Sequence, residues 1–226
     1  MFNFRPKKTN RFWQGGKRCT RICNENPKDD YTGYTLMDIR NFLFSNRSFT
    51  PVPIALTVIY FSDPRFPYFI FGLFLVILGE TIRINAVRYA GGVTRTMNVG
   101  APSLCTSGPY SYTRNPLYLG NMIIYLGISF VSGGNYIIEI CALVFLFFTF
   151  QYSMIISLEE ETLQKLFGDE YEFYCKNVPR LFPRVRPWNK NSNHTPSTFS
   201  KTIKTEKRTL QNIFFILLLI VIKTFF

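Results

Sequence analysis

Histidine is all but missing from these 226 residues: His194 stands alone in a Ser/Thr/Asn-rich stretch. Chemistry built on an imidazole base therefore has almost no candidate side chain. Cysteine is sparse and scattered, at Cys19, Cys23, Cys105, Cys141 and Cys175. Cys19 and Cys23 have no second pair and no neighbouring His, so the spacing argues for reduced thiols and against a metal site. Gly-x-Gly-x-x-Gly does not occur, nor does an alternation of strand-like and helix-like segments, which argues against a Rossmann domain. No internal repeat is visible. The first residues lack a charged, then apolar, then small-residue pattern, so no secretory signal is expected there. Carboxylates are few, 14 Asp and Glu against 26 Lys and Arg, and the net charge is +12.

Such an excess suggests nucleic acid until its placement is examined. Ten Lys and Arg fall in 1–47 and ten in 158–209, while 132–135 has none and 62–66 has Arg65 alone. The basic stretches alternate with apolar ones, as the positive-inside bias requires, and no nucleic-acid motif accompanies them. No nucleic-acid partner is expected. The apolar runs are 51–61, 66–90, 117–131 and 136–157, broken by short turns at 62–66 and 132–135. A crossing takes roughly 20 residues, which the last run supplies most clearly. Aromatic residues make up 17% of the chain, with 24 Phe and 13 Tyr, a richness that suits lipid contact and interfacial belts.

The expected fold is an all-α integral membrane protein, multi-pass, with about four membrane helices in two hairpins. An interfacial helix follows, where Leu163, Leu166, Phe167, Tyr171, Tyr174 and Val178 recur at helical spacing. Gly168 is read as ending one helical segment, with Asp169 and Glu172 as a capping box opening the next. The chain divides into a basic cytoplasmic extension at 1–48, a membrane domain at 49–188, a polar linker at 189–209 read as disordered, and an apolar tail at 210–226. That tail is a possible extra terminal helix. The basic ends put the functional residues on the cytoplasmic side.

Two segments carry polar chemistry. Ser107-Gly108-Pro109-Tyr110 runs through Arg114-Asn115-Pro116-Leu117-Tyr118-Leu119-Gly120 into an apolar helix. Gly108-Pro109 sets one turn and Asn115-Pro116 another, with Pro at a tolerated first-turn position. Tyr110, Arg114, Asn115 and Tyr118 thus converge near a helix N-terminus, which suits an anionic group. An aromatic belt with a snorkelling Arg accounts for the same residues. The second segment, Glu159-Glu160-Glu161 onward to Val178-Pro179-Arg180, starts at the exit of the longest apolar run. A solvated acidic helix start is the plain explanation, weakened because the helix runs through this point from the membrane.

Together the two segments resemble the isoprenylcysteine carboxyl methyltransferase and phospholipid methyltransferase superfamily. Its members carry G-P-Y and then R-H/N-P-x-Y-x-G before a helical hairpin, and E-E-x-x-L-x-x-x-F-G-x-x-Y-x-x-Y-x-x-x-V-P-R after it. Every fixed position of the second pattern is met from Glu159 to Arg180, and the resemblance covers roughly 78–183. It implies a small helical membrane enzyme using S-adenosylmethionine. By that analogy the cofactor contacts are Ser103, Leu104, Cys105, Tyr110, Asn115, Pro116, Leu117, Tyr118 and Glu159. Arg114 and Glu160 are the implied catalytic neighbours that hold the constellation together. Members often have His where this chain has Asn115, and often an Arg in substrate contact where it has Ile155.

Methyl transfer from a sulfonium is an in-line displacement needing alignment and exclusion of water more than acid–base help, so the lack of a histidine is compatible with it. The expected partners are membrane lipids and a lipid-like or prenylated acceptor, with an isoprenylcysteine-type carboxylate favoured over a phospholipid amine. An NADPH-dependent enzyme of the sterol-reductase kind and a non-enzymatic membrane adaptor are the competing readings. With no side chain of ordinary pKa near 7 at the site, methylation of a carboxylate is expected to be nearly flat from about pH 6 to 8.

Overall fold

The computed structural model describes residues 39–91, 103–188 and 195–225. Cys19, Cys23, His194 and most of the basic extension lie outside the described residues. Among the described residues all regular structure is helical. A helical turn at 39–45 leads to α1 (Pro51–Tyr60), α2 (Tyr68–Ala90), a 3₁₀ turn (Gly108–Ser111), α3 (Pro116–Ser132), α4 (Ile137–Asn177) and α5 (Phe199–Lys223). The apolar runs dictate α1 to α4 almost residue for residue, with Pro51 and Pro116 opening two of them.

α2 and α3 pack antiparallel along a ladder of glycines seven residues apart, Gly72 and Gly79 against Gly127 and Gly120. A Cβ at Gly127 would lie 2.8 Å from both Gly72 O and Val76 N. Close approach of two backbones over small residues is how helices associate where no hydrophobic effect separates protein from lipid. Gly127→Ala is expected to cost about 1–3 kcal/mol by overpacking. That loss is read as a lower thermal midpoint of the purified protein, and an unchanged midpoint rules out the close crossing. α4 then packs on α3 through aromatics, with Tyr125 stacked on Phe148 at 3.9 Å between centroids.

The two short turns meet at one end. Asp63 N donates to Ser132 O at 2.7 Å, and Asp63 bridges Gly133. The expectation of about four membrane helices meets a length limit. Among the described residues only α2 and α4 are long and apolar enough to cross a membrane, and α1, at 10 residues, is about 15 Å long against a core of about 30 Å. α4 has 41 residues, about 60 Å, so it passes far beyond any bilayer. Its apolar part ends near Ile156, and its polar part carries Glu159 onward. The break expected at Gly168 is a kink within one helix, with Gly168 at φ 49°.

The largest departure is at the C-terminus. The polar stretch read as a disordered linker to 209 is helical from Phe199, and α5 continues to Lys223 as one element of 25 residues. Thr202, Glu206 and Ile220 are buried, with Ile213, Ile216 and Leu217 packed on the core behind them. These positions recur at helical spacing across the boundary drawn at 209/210. Local composition, rich in Lys and Thr, hid that stripe. α5 runs beside α2 from Ser197 N on Arg88 O (2.7 Å) to Lys223 Nζ on Ser62 O (3.1 Å).

Candidate functional site

The site lies at the end of the helices opposite the two short turns, where the 3₁₀ turn, the start of α3 and the polar part of α4 converge. Backbone bonds lace the two motif segments together: Arg114 N donates to Pro179 O (2.9 Å), Arg184 N to Tyr112 O (3.0 Å) and Trp188 N to Ser111 O (3.0 Å). Side chains add to the seam. Thr113 Oγ1 donates to Leu181 O (3.0 Å), Asn115 Nδ2 to Arg180 O (2.9 Å) and Tyr174 Oη to Tyr110 O (2.6 Å). Beneath it Tyr171, Tyr174 and Val178 form a buried cluster with Leu104, Leu163, Phe167 and Trp188. The aromatic positions of the second motif are therefore the floor on which the first is laid.

Two carboxylates enter this seam differently. Glu159 accepts a hydrogen bond from Tyr118 Oη at 2.8 Å. Burial pushes its carboxyl from 4.5 up to about 7, against the Tyr118 bond and the positive charge of Arg47, which favour the ionised form. Glu160 is clasped by two arginines, with Oε1 3.1 Å from Arg114 Nη2 and Oε2 3.0 Å from Arg180 Nε. Glu161 faces outward, between Arg40 (2.5 Å) and Lys165 (2.8 Å), and its hydrogen bond to Lys165, then that to Arg40, hold its carboxyl down to about 2. One run of three glutamates thus serves three roles.

Of the sequence-derived residues, the structure brings Tyr118 and Glu159 into contact and does the same for Arg114 and Glu160. Tyr110 and Cys105 lie close enough that their charges would act on one another, and burial raises both of their pKa values. Leu104 packs on the tyrosine floor. Asn115 is committed to Arg180 O through its side-chain amide, the role its donor group fills where the superfamily often has His. Pro116 is buried in the first turn of α3, Leu117 follows it, and Ser103 lies exposed at the edge of the described segment. No side chain at the site has an ordinary pKa near 7, and it is burial that pushes the Glu159 carboxyl up to about 7.

Three contributors went unnoticed in the sequence. Arg47, assigned to the extension, acts electrostatically on Glu159, and its guanidinium lies 4.2 Å from the Phe44 ring centroid. Arg40 reaches Glu161 of α4 at 2.5 Å. Arg83 of α2 is the third. Its Nη2 lies 2.6 Å from Glu206 Oε2 of α5, its Nη1 donates to Asn121 Oδ1, and Glu80 lies 3.7 Å away. The side chain passes across Gly120, where a Cβ would come within 2.7 Å of Arg83 Cγ. The motif glycine before the hairpin is therefore the gap through which this arginine reaches inward. These partners stand 38 and 123 positions apart, beyond any local pattern.

Two helices long and apolar enough to span, with a polar seam at one end of them, fit a helical membrane protein. Residues 67–170 match the family model described as Phospholipid methyltransferase, and through this segment the chain is similar to that family. It is 33% identical over 112 residues to a protein-S-isoprenylcysteine O-methyltransferase of Schizosaccharomyces pombe, covering 48% of this chain and 46% of that one. It is 32% identical over 103 residues to a cobalt-zinc-cadmium resistance protein of Cupriavidus metallidurans, covering 45% and 46%. It is 31% identical over 74 residues to methanethiol S-methyltransferase 1 of Bradyrhizobium diazoefficiens, covering 33% and 24%. The chain spans about half the length of these relatives or less. No solved structure matches.

Proposed function

We propose that this protein is a membrane methyltransferase that uses S-adenosylmethionine to methylate an isoprenylcysteine-type carboxylate. The observation that carries the reading is the Tyr118–Glu159 bond beside the Arg114–Glu160–Arg180 clasp, because it joins the two superfamily motifs in one buried polar seam. The seam fits the cofactor's polar groups. Arg114 Nε is buried with no hydrogen-bond partner, and such a group is costly to leave unmet. It suits a carboxylate. Bound there, the cofactor would supply an electrophilic methyl on a sulfonium, whose transfer to the acceptor oxygen would leave a neutral thioether and a methyl ester.

Within this reading Glu159 accepts from the cofactor's hydroxyls, Tyr118 orients it, and Glu160 positions Arg114. Arg83 is the acceptor's cation, in place of the Arg that Ile155 replaces. Radiolabelled S-adenosylmethionine is expected to bind the detergent-purified protein and NADPH is not; the opposite result supports the reductase reading, and binding of neither supports an adaptor. Mass spectrometry of products formed with deuterated methyl donor separates a carboxylate from a lipid amine.

Orientation has its own test. The short turn at 132–135 is expected outside and the basic segment at 180–188 in the cytoplasm. Gly133 is unsuitable as a reporter, since a Cβ there would sit 2.7 Å from Asp63 O, whereas Asn135 and Arg186 are exposed. In intact cells Asn135→Cys is expected to label with an impermeant thiol reagent and Arg186→Cys to stay protected. The reverse pattern overturns the cytoplasmic site.

A further inference from the structure

α5 lies wholly outside the segment that matches the superfamily. Its inward face is one stripe of Thr202, Glu206, Ile213, Ile216, Leu217 and Ile220, packed on the rest of the protein. From Glu206 to Ile220 the stripe runs about 21 Å at the rise of an α-helix. It presents an apolar length that ends, at the level of the site, in a single carboxylate. An isoprenylcysteine-type acceptor has the same chemistry: an apolar chain with a carboxylate at its polar end. The opposite face of α5, with Phe214, Phe215, Leu218 and Ile222, is exposed. The core of α2 to α4 is built on Val76, Ile124, Val144 and Phe148, and Ile220 of α5 is buried against it.

The carboxylate itself is placed as a ligand would be. Glu206 is 1% exposed and meets Arg83 at 2.6 Å. Arg83 is aimed there by Asn121 and by the gap at Gly120, both within the matched segment, and Glu80 steadies it from the preceding turn. The arginine's direction thus comes from elements that α5 does not belong to, and α5 supplies the anion. We propose that Glu206 is an internal competitor for the acceptor's carboxylate: α5 occupies the acceptor groove with Glu206 on Arg83, and the acceptor binds by displacing it. This rests on the carboxylate-methylation reading above. It makes acceptor capture favour a carboxylate, because a neutral head that drove α5 away would take the closer of two anions from a buried arginine, Glu206 at 2.6 Å, and leave only Glu80 at 3.7 Å.

Two measurements on the full chain in detergent test it, with N-acetyl-S-farnesylcysteine as acceptor and its carboxamide as control. Glu206→Gln removes the competing charge, so the acceptor KM is expected to fall about tenfold while the KM for S-adenosylmethionine stays unchanged. A strut for the fold behaves otherwise, and an unchanged or raised acceptor KM overturns the proposal. The second measurement needs no change at Glu206. Thr202, 1% exposed on the inward face of α5, is replaced as Thr202→Cys and its maleimide labelling is followed. The carboxylate is expected to speed labelling severalfold and the carboxamide to leave it slow. Labelling that stays slow with saturating carboxylate overturns the proposal, whether or not Glu206→Gln folds. Labelling that opens without methyl transfer upholds the competition and discards the methylation reading instead.

Discussion

Glu159→Gln is expected to weaken S-adenosylmethionine binding by one to two orders of magnitude and, at the same time, to make the cofactor-free protein more stable above about pH 7. The two effects have one cause. Loss of a charge-assisted hydrogen bond costs about 1.5–3 kcal/mol, which sets the binding loss. The stability gain follows from burial, which raises the folded carboxyl from 4.5 to about 7. A raised acid binds its proton more tightly when folded, so its contribution to stability is whole below about pH 4.5 and is lost as pH rises through about 7. That loss is about 3 kcal/mol, and Gln, which never ionises, does not suffer it. In the wild type, cofactor binding is expected to tighten as pH rises through about 7, because ionised Glu159 is the stronger acceptor. Glu159→Gln is expected to abolish that step, and Tyr118→Phe to move it upward, since the Tyr118 bond favours the carboxylate. Calorimetric binding at pH 6, 7 and 8 checks all three. A wild type with no pH step would mean that Glu159 does not touch the cofactor.

This titration also changes what a pH–rate profile says about the acceptor. A carboxylate acceptor is fully ionised by about pH 6 and on its own leaves the rate flat above it. With Glu159 in the site, a rise through about 7 is expected even then. It is distinguished from amine deprotonation, which keeps climbing about tenfold per pH unit, because the Glu159 step levels off above 7 and disappears in Glu159→Gln.

What the sequence made legible and what it hid follow from the range of the interactions. α1 to α4 were legible because each is a contiguous apolar run between turn residues, and Gly, Pro and Ser mark the breaks. The two site segments were legible because their residues are fixed at short spacing: Arg114 through Tyr118, and Glu159 through Arg180. Hidden were the pairings between them and everything that comes from afar. Nothing near Arg83 says that it will pass Gly120 and meet Glu206. Nothing near Arg47 says that it will bias a carboxyl on α4. The pKa of Glu159 is hidden for the same reason, since it is set first by burial and only in smaller part by neighbouring Glu160. α5 was missed differently. Its stripe is present in the sequence, but Thr202 and Glu206 are polar, so an apolar-period reading starts only at 210.

The second large effect is expected at Glu160, and it differs in kind from that at Glu159. Glu160 is the joint between Arg114, which opens α3, and Arg180, which closes the second motif. Side-chain exposure of 14% at Arg114 and 20% at Glu160 makes this pair mostly buried. Removing one partner of a buried pair leaves an uncompensated charge, at a cost of about 3–5 kcal/mol in a fully dry site, so about 2–3 kcal/mol is expected here, where Arg180 at 42% exposure keeps solvent access. Glu160→Gln should therefore lower the thermal midpoint at every pH from 6 to 8, where Glu159→Gln raises it above 7. Cofactor affinity should fall as well, because Arg114 loses its orientation, but the wild-type pH step should survive, displaced slightly downward since the negative charge of Glu160 raises the Glu159 value. Arg180→Lys, which retains a cation at the exposed side of the joint, should restore nothing to Glu160→Gln and should by itself cost little. If Glu160→Gln instead erases the pH step while leaving the midpoint intact, Glu160 is the carboxylate that meets the cofactor and Glu159 is the brace.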